Sequence, residues 1–476
     1  MASHVSGEGM SLEQQLQEDR TGLLEHLKAL TETGQYEKVL KIAESMLYEN
    51  PEDAACLFYA ATGHSNMNHE ESAYHLMQKA VMLRPHRAEM WQNMGHICDK
   101  LWRYDEALMC YGRALEINPN DYQTVASMAS ALVGLGKSEM AIAYADRALE
   151  LEPSSEIAQV NKGFGHLTLG QWKEGWAGYE QMLGHKSKRR KATAYTTPPK
   201  MWDGKRHENI VVYGEQGIGD EIMFASCIKD ASEHAKHIVI DCMPKLEGLF
   251  RRSFHWCSVY GTRQETAPVW MGVEPIDSSI AIGSLPFHYR HTDEDFEQCK
   301  SSYLIADPLR RTMYRALLDA LGDGMKVGIS WHGGNSLGGI RKLELDRLKD
   351  LVESFPQVQW VSLNYKDHPS YGLPIHEFKF ATQTDDYDDT AALVAELDLV
   401  ISVPQAVVHL AGALGKETWC IAPDVARWIY GKTGEKHHWY ESVRIFRDWE
   451  TVTDQIKEQL HGRLTEHTEE KLARVA

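Results

Sequence analysis

The stretch AEMWQNMGHICDKLWRYDEALMCYGRALEINPND, Ala88 to Asp121, decides how the first third of this chain folds. Small residues stand where two helices must approach: Gly95 and Ala107 within the pair, Ala114 toward the next one. Pro119 then stops the second helix, since proline lacks the N–H that a helix interior needs. The same breaker recurs at Pro51, Pro85, Pro119 and Pro153, and the intervals 85−51, 119−85 and 153−119 are each 34 residues. An arbitrary helical bundle has no reason to repeat its breakers at a constant interval.

Thirty-four residues is the period of the tetratricopeptide (TPR) helix-turn-helix unit. Trp91, Met94, Gly95, Ala107, Tyr111, Ala114 and Pro119 sit at its consensus positions. "GQYEKVL" from Gly34, "SAYHLMQKA" from Ser72, "SEMAIAYADRALELEP" from Ser138 and "GQWKEGWAGYE" from Gly170 fall on second helices. About five repeats over residues 20–184 are expected, after an N-terminal segment 1–19. Such arrays present a concave groove to a protein or peptide. Gln92, Asn93, His96, Asp99 and Lys100 are the groove-facing candidates of the best copy, and as single residues each also reads as an ordinary solvated helix position.

At 476 residues the chain exceeds one ordinary core, so further domains are expected. Its 50 Lys and Arg against 68 Asp and Glu give a net charge of −18. A chain of that sign repels polyanions, which argues against nucleic acid or an anionic membrane as partner. The eight cysteines form no CxxC pair and sit in apolar surroundings, so free buried thiols are expected rather than a metal site or disulfide frame. No leader-like segment and no apolar run of membrane-spanning length occurs, and a cytoplasmic protein is the expectation.

A basic run, His185 to Lys191, and the pair Pro198-Pro199 make residues 185–207 a linker. The pattern then changes to short β-branched runs. "NIVVY" (Asn209–Tyr213) and "HIVID" (His237–Asp241), with a third strand near Ser258, alternate with helices in a first lobe over 208–305. "KVGIS" (Lys326–Ser330), "VQWVSL" (Val358–Leu363), "DLVISV" (Asp398–Val403) and "TWCIA" (Thr418–Ala422) repeat that alternation in a second lobe over 306–476. Strands alternating with helices imply parallel sheets, with ligands held at the strands' carboxyl ends. The expected fold class is therefore α plus α/β: an N-terminal TPR solenoid followed by two Rossmann-like lobes.

Three other enzyme chemistries have partial motifs in the chain. Gly214, Gly217 and Gly219, with Asp241 closing the next strand, approach a dinucleotide fingerprint, but the spacing is GxxGxG and not GxGxxG. An NAD-dependent oxidoreductase is a minor reading on that ground. The "HGG" at His332 has no GxSxG elbow to accompany it, which disfavours a serine hydrolase. His69-Glu70 and His75 have the wrong interval for a zinc protease.

Six features in order are more specific: "YGEQGIGDEIMFA" (Tyr213–Ala225), "GISWHGGN" (Gly328–Asn335), Arg341, "DDTAALVAELDLVISV" (Asp388–Val403), "VVHLAGALGKETWCIAP" (Val407–Pro423) and "WYESVRIFR" (Trp439–Arg447), preceded by the "GQWKEGW" end of the repeats. Together they resemble the TPR-linked relatives of glycosyltransferase family 9, the heptosyltransferase-like family, over nearly the whole chain. The resemblance implies a two-lobed GT-B fold and an inverting transferase. Such an enzyme needs no metal or other cofactor and takes a nucleotide-sugar donor as substrate.

On that resemblance Asp220 matches the catalytic base, although a carboxylate at a helix start also serves as a cap, and both roles are compatible. Gly217 and Gly219 would let backbone approach the donor. Trp331, His332, Gly333 and Asn335 would line the second lobe's side of the cleft, and Arg341 would pair with donor phosphate. Asp389, Thr390, Gln405, His409 and Gly412 complete the implied donor set, with a core histidine the alternative for His409. The family usually places Asp-Thr before the "AVxHLAGALG" helix where this chain has Pro404-Gln405, which leaves open a non-catalytic scaffold that binds a nucleotide.

Overall fold

Each proline of the 34-residue series stands two residues beyond a helix end, so the breakers act where the sequence places them. In the computed structural model the helices are α1 (Leu12–Glu32), α2 (Tyr36–Glu49), α3 (Ala54–Asn66), α4 (Glu70–Leu83), α5 (Ala88–Lys100), α6 (Tyr104–Ile117), α7 (Tyr122–Gly134), α8 (Ser138–Leu151), α9 (Glu156–Thr168) and α10 (Trp172–Gly184). The structure describes residues 12–184, 199–214, 216–263, 265, 268–298, 300–333, 342–422 and 428–475. Asp53 and Asp121 precede α3 and α7, and each accepts a hydrogen bond from a first-turn amide of its helix. Ala73, Met77, Ala107, Tyr111 and Ala131 belong to one buried cluster that runs through successive repeats.

The chain divides into two compact units: residues 1–135 with 143–158, and residues 136–142 with 159–476. The first unit is helical repeat. The second contains α10 and two parallel sheets.

The first sheet is built from β1 (Lys200–Met201), β2 (Asn209–Tyr213), β3 (His237–Asp241), β4 (Ser258–Tyr260) and β5 (Ser278–Ala281), in the order β1-β5-β2-β3-β4. Between and after them run α11 (Ile218–Phe224), α12 (Ile228–His234), α13 (Glu247–Ser253), α14 (Leu285–Tyr289) and α15 (Asp293–Glu297). Helix α16 (Pro308–Asp319) leads into the second sheet. Its elements are β6 (Lys326–Ser330), α17 (Leu345–Glu353), β7 (Gln359–Ser362), β8 (Ile375–Glu377), α18 (Lys379–Thr382), α19 (Tyr387–Glu396), β9 (Leu399–Ser402), α20 (Ala406–Ala413), β10 (Thr418–Ile421), β11 (Val443–Phe446) and α21 (Val452–Val475). The strand order is β11-β10-β9-β6-β7-β8, every pairing parallel.

Central strands such as β6 and β9 are buried along their whole length, as helices on both faces require. One apolar cluster joins the sheets: Ile222, Phe224 and Phe250 of the first pack in the same core as Val400, Val408 and Leu410 of the second. Ion pairs reinforce the junction, with Arg252 of α13 on Asp388 of α19. The described cysteines are free, and Cys56, Cys98, Cys110, Cys227, Cys242 and Cys420 are buried. Among the described residues no helix is long and apolar enough to cross a membrane.

Candidate active site

Parallel strands end on one side of their sheet, so the turns that follow them share one rim. The turn after β2 and the turn after β9 face one another there. Between them lies a cavity of about 550 Å³, lined by Gly217, Ile218, Gly219 and Asp220 from the first turn and by Gln405, Ala406, Val407 and His409 from the second. Lys245, Tyr365, Thr384, Tyr387, Thr390 and Tyr430 complete much of the wall.

The two turns nearly touch, and Gly219 is the reason they can. A Cβ there would lie 3.1 Å from the His409 ring and 3.2 Å from the Ala406 Cα, closer than ordinary packing allows. Asp220 accepts a hydrogen bond from the Gly217 amide at 3.1 Å, so its carboxylate caps α11 while lining the cavity. Opposite it, α20 starts at Ala406, and the amides of Ala406 and Val407 precede the first bond that the helix makes to its cap, from the Val408 amide to the Gln405 carbonyl at 3.1 Å. Lys245 Nζ donates to the Thr384 carbonyl at 2.9 Å and pairs with Asp385 at 3.0 Å, which sets a cation on the cavity wall.

Below the first turn, Glu221 is fully buried against Arg263 and accepts from the Met243 amide at 2.9 Å. Burial outweighs the Arg263 guanidinium and pushes its carboxyl up to about 7. Asp241 is also fully buried, accepts from Thr262 Oγ1 at 2.8 Å and does not line the cavity. The acidic group on which the dinucleotide reading depended is therefore occupied within the protein.

Of the residues assigned from sequence, Gly217, Gly219, Asp220, Thr390, Gln405 and His409 come together in the cavity lining. Others do not. Trp331 is buried with Ile329, Leu343 and Leu351 in the core on the far side of the second sheet, because it shares a strand face with Ile329. His332 stacks on His368 with ring centroids 3.8 Å apart, and its Nδ1 lies 2.8 Å from the Gly333 carbonyl; neither His332 nor Gly333 lines the cavity. Asp389 pairs with Arg310 at 2.9 Å and accepts from Tyr314 at 3.2 Å, which ties α19 to α16. Gly412 makes room for Tyr440, whose ring a Cβ would meet at 2.4 Å. Asn335 and Arg341 lie outside the described residues.

Gln405 needs its own account. It is the N-cap residue of α20, with Pro404 before it and outside the helix, not in its first turn. Its side-chain amide donates to Ser330 Oγ and lies 3.4 Å from Ser402 Oγ, turned toward the ends of β6 and β9.

In the repeat unit, four of the five groove candidates contact their own array. Gln92 donates to Asp121 at 3.2 Å, Asn93 to the Glu89 carbonyl at 2.9 Å and Lys100 to the Ser65 carbonyl at 2.5 Å. His96 Nδ1 lies 3.1 Å from the Tyr111 hydroxyl. Asp99 is half-buried, and burial pushes its carboxyl up to about 6.

Lys245, Tyr365 and Tyr387 escaped the sequence reading. A usable signal existed, since Lys245 and Tyr365 follow the ends of β3 and β7, where open parallel sheets place ligands.

Tetratricopeptide repeat models match residues 88–121 and 122–155. Protein FlbA of Caulobacter vibrioides is 28% identical over 428 residues, covering 83% of this chain and 70% of FlbA. Protein O-mannosyl-transferase TMTC1 of Mus musculus is 27% identical over 156 residues, 32% of this chain and 16% of that protein. The crystal structure of MamA aligns with a TM-score of 0.30 at 15% identity, over 33% of this chain and 92% of that one.

Proposed function

We propose that this protein is a glycosyltransferase of the two-lobed GT-B type. It moves a sugar from a nucleoside-diphosphate donor to a hydroxyl of a protein or glycan that the TPR repeats present. The observation that carries this reading is that one carboxylate, Asp220, and the amino end of α20 line the same cavity from opposite sides.

The chemistry follows from the placement. Asp220 accepts the proton of the acceptor hydroxyl as its oxygen bonds to the anomeric carbon. The bond from that carbon to the diphosphate oxygen breaks on the opposite face, which inverts the centre. The negative charge left on the diphosphate meets the Ala406 and Val407 amides, the positive end of α20 and Lys245. Tyr365 and Tyr387 offer aromatic faces to the nucleoside.

A second reading is a TPR scaffold that binds a nucleotide without turning it over. The Gln405 side chain supports it, because its amide is engaged with Ser330 Oγ and brings no charge to that turn. A panel of radiolabelled nucleotide sugars separates the two. The transferase reading predicts consumption of at least one donor, abolished by Asp220→Asn with nucleotide binding retained. Nucleotide binding without consumption of any donor, unchanged by Asp220→Asn, would establish the scaffold instead.

A further inference from the structure

We infer that α10, which the repeat sequence closes on, packs behind the walls of the proposed active site, and that Tyr179 is a positioning residue for the turn carrying Asp220. Its kinetic consequence rests on the transferase reading; its structural consequence does not.

Trp172, Trp176 and Tyr179 fall at i, i+4 and i+7, one face of α10. In an ordinary repeat that face covers the next repeat. Here it covers the elements that line the cavity. The Tyr179 hydroxyl accepts a hydrogen bond from Gln216 Nε2, the residue before Gly217. The Tyr179 ring lies edge-on to Phe224, the last residue of α11, with centroids 5.9 Å apart. One buried side chain therefore holds α11 at both ends, and Asp220 lies between them.

A second wall is backed in the same way. Trp428 opens the turn Trp428–Tyr430, of which Ile429 and Tyr430 line the cavity. Its ring stands 5.3 Å from Trp176 and 5.8 Å from Tyr179. The orientation of α10 is itself fixed by polar contacts. Trp176 Nε1 donates to the Arg290 carbonyl at 2.7 Å, Trp172 Nε1 to Asp293 at 2.9 Å, and Ser284 Oγ to Glu180 at 3.1 Å.

Ring packing tolerates small rotations, whereas a hydrogen bond to a turn residue fixes its position. Tyr179 does not line the cavity, so its effect on chemistry passes through Gln216 and the turn. Asp220 must meet an acceptor hydroxyl within hydrogen-bond reach, and small displacements there cost rate more than they cost binding.

Tyr179→Phe removes the hydroxyl and keeps the ring. Gln216→Met removes the same bond from the other side. In the full chain, hydrogen exchange of amides in 216–224 is expected to rise about fivefold in either variant, as loss of one hydrogen bond implies, and no further in the double variant. Exchange in α2–α6 and in β7 stays unchanged. With a donor in hand, kcat falls about fivefold while the donor KM stays within about twofold. Wild-type exchange over 216–224 in both variants would overturn the inference whatever the activity. Raised exchange in a protein that turns over no nucleotide sugar would sink the transferase reading and leave the positioning role intact.

Discussion

The turn after β2 and the turn after β9 share a backbone plan and differ in what their side chains do. Both enter a helix through an extended N-cap residue, Gly217 with ψ 163° and Gln405 with ψ −179°. Both present first-turn residues to the one cavity. In the first turn a carboxylate, Asp220, reaches back to the cap amide and still faces the cavity. In the second, the Gln405 amide is engaged with Ser330 Oγ and lies near Ser402 Oγ, so that turn brings helix amides and no carboxylate. Under the proposed transferase function the difference divides the labour: proton transfer falls to the first turn, anion stabilisation to the second. Gly219 lets the two meet.

Removing the charge from the first turn should break the comparison most severely. Asp220→Asn keeps the cap geometry and cannot accept a proton, so transfer should fall by about 10²–10⁴, the range for a lost general base, with nucleotide affinity kept. A radiolabelled-donor assay alongside calorimetric binding measures both.

Forcing the turns apart comes next. Gly219→Val places methyl groups against His409 and Ala406, where a single Cβ is already too close. A loss of about 1–3 kcal/mol is expected from overpacking, read by urea denaturation, together with weakened nucleotide binding. Unchanged stability would mean that the turns do not abut as described.

The pH response sharpens the first turn's side. Burial raises the Glu221 carboxyl from 4.5 to about 7, so the folded state holds that proton more tightly than the unfolded chain. Its contribution to stability is therefore greatest below about pH 4.5, falls as pH climbs to about 7 and is flat above. Glu221→Gln should reduce that downward slope in a series of melting temperatures across this window.

The smallest effect belongs to the second turn. Gln405→Leu removes the bond to Ser330 Oγ and should cost about 1 kcal/mol of stability while leaving donor turnover within about threefold. A collapse of turnover comparable to that of Asp220→Asn would show that the second turn carries chemistry too.

The array and the strand pattern were legible because each is a repeated demand on backbone: a breaker every 34 residues, a β-branched run before each helix. The place of Asp220 in the cavity lining was legible through the resemblance that "YGEQGIGDEIMFA" carries; from the residues alone a helix cap read equally well. Trp331, Asp389 and Gly412 were not, because the same motif letters serve packing once the facing element is known. Leu343 and Leu351 surround Trp331, Arg310 claims Asp389, and Tyr440 fills the space over Gly412. The role of α10 was hidden for a related reason. "GQWKEGWAGYE" satisfies a repeat's second helix, and only the fold reveals that its aromatic face covers Phe224 and Trp428.

The most direct test is a crystal structure of the protein with whichever of UDP, ADP, GDP or CDP raises its melting temperature. The account predicts the diphosphate against the Ala406 and Val407 amides and beside Lys245, with Asp220 facing it across the cavity. A nucleotide bound elsewhere, or a diphosphate directed away from the amino end of α20, would contradict it.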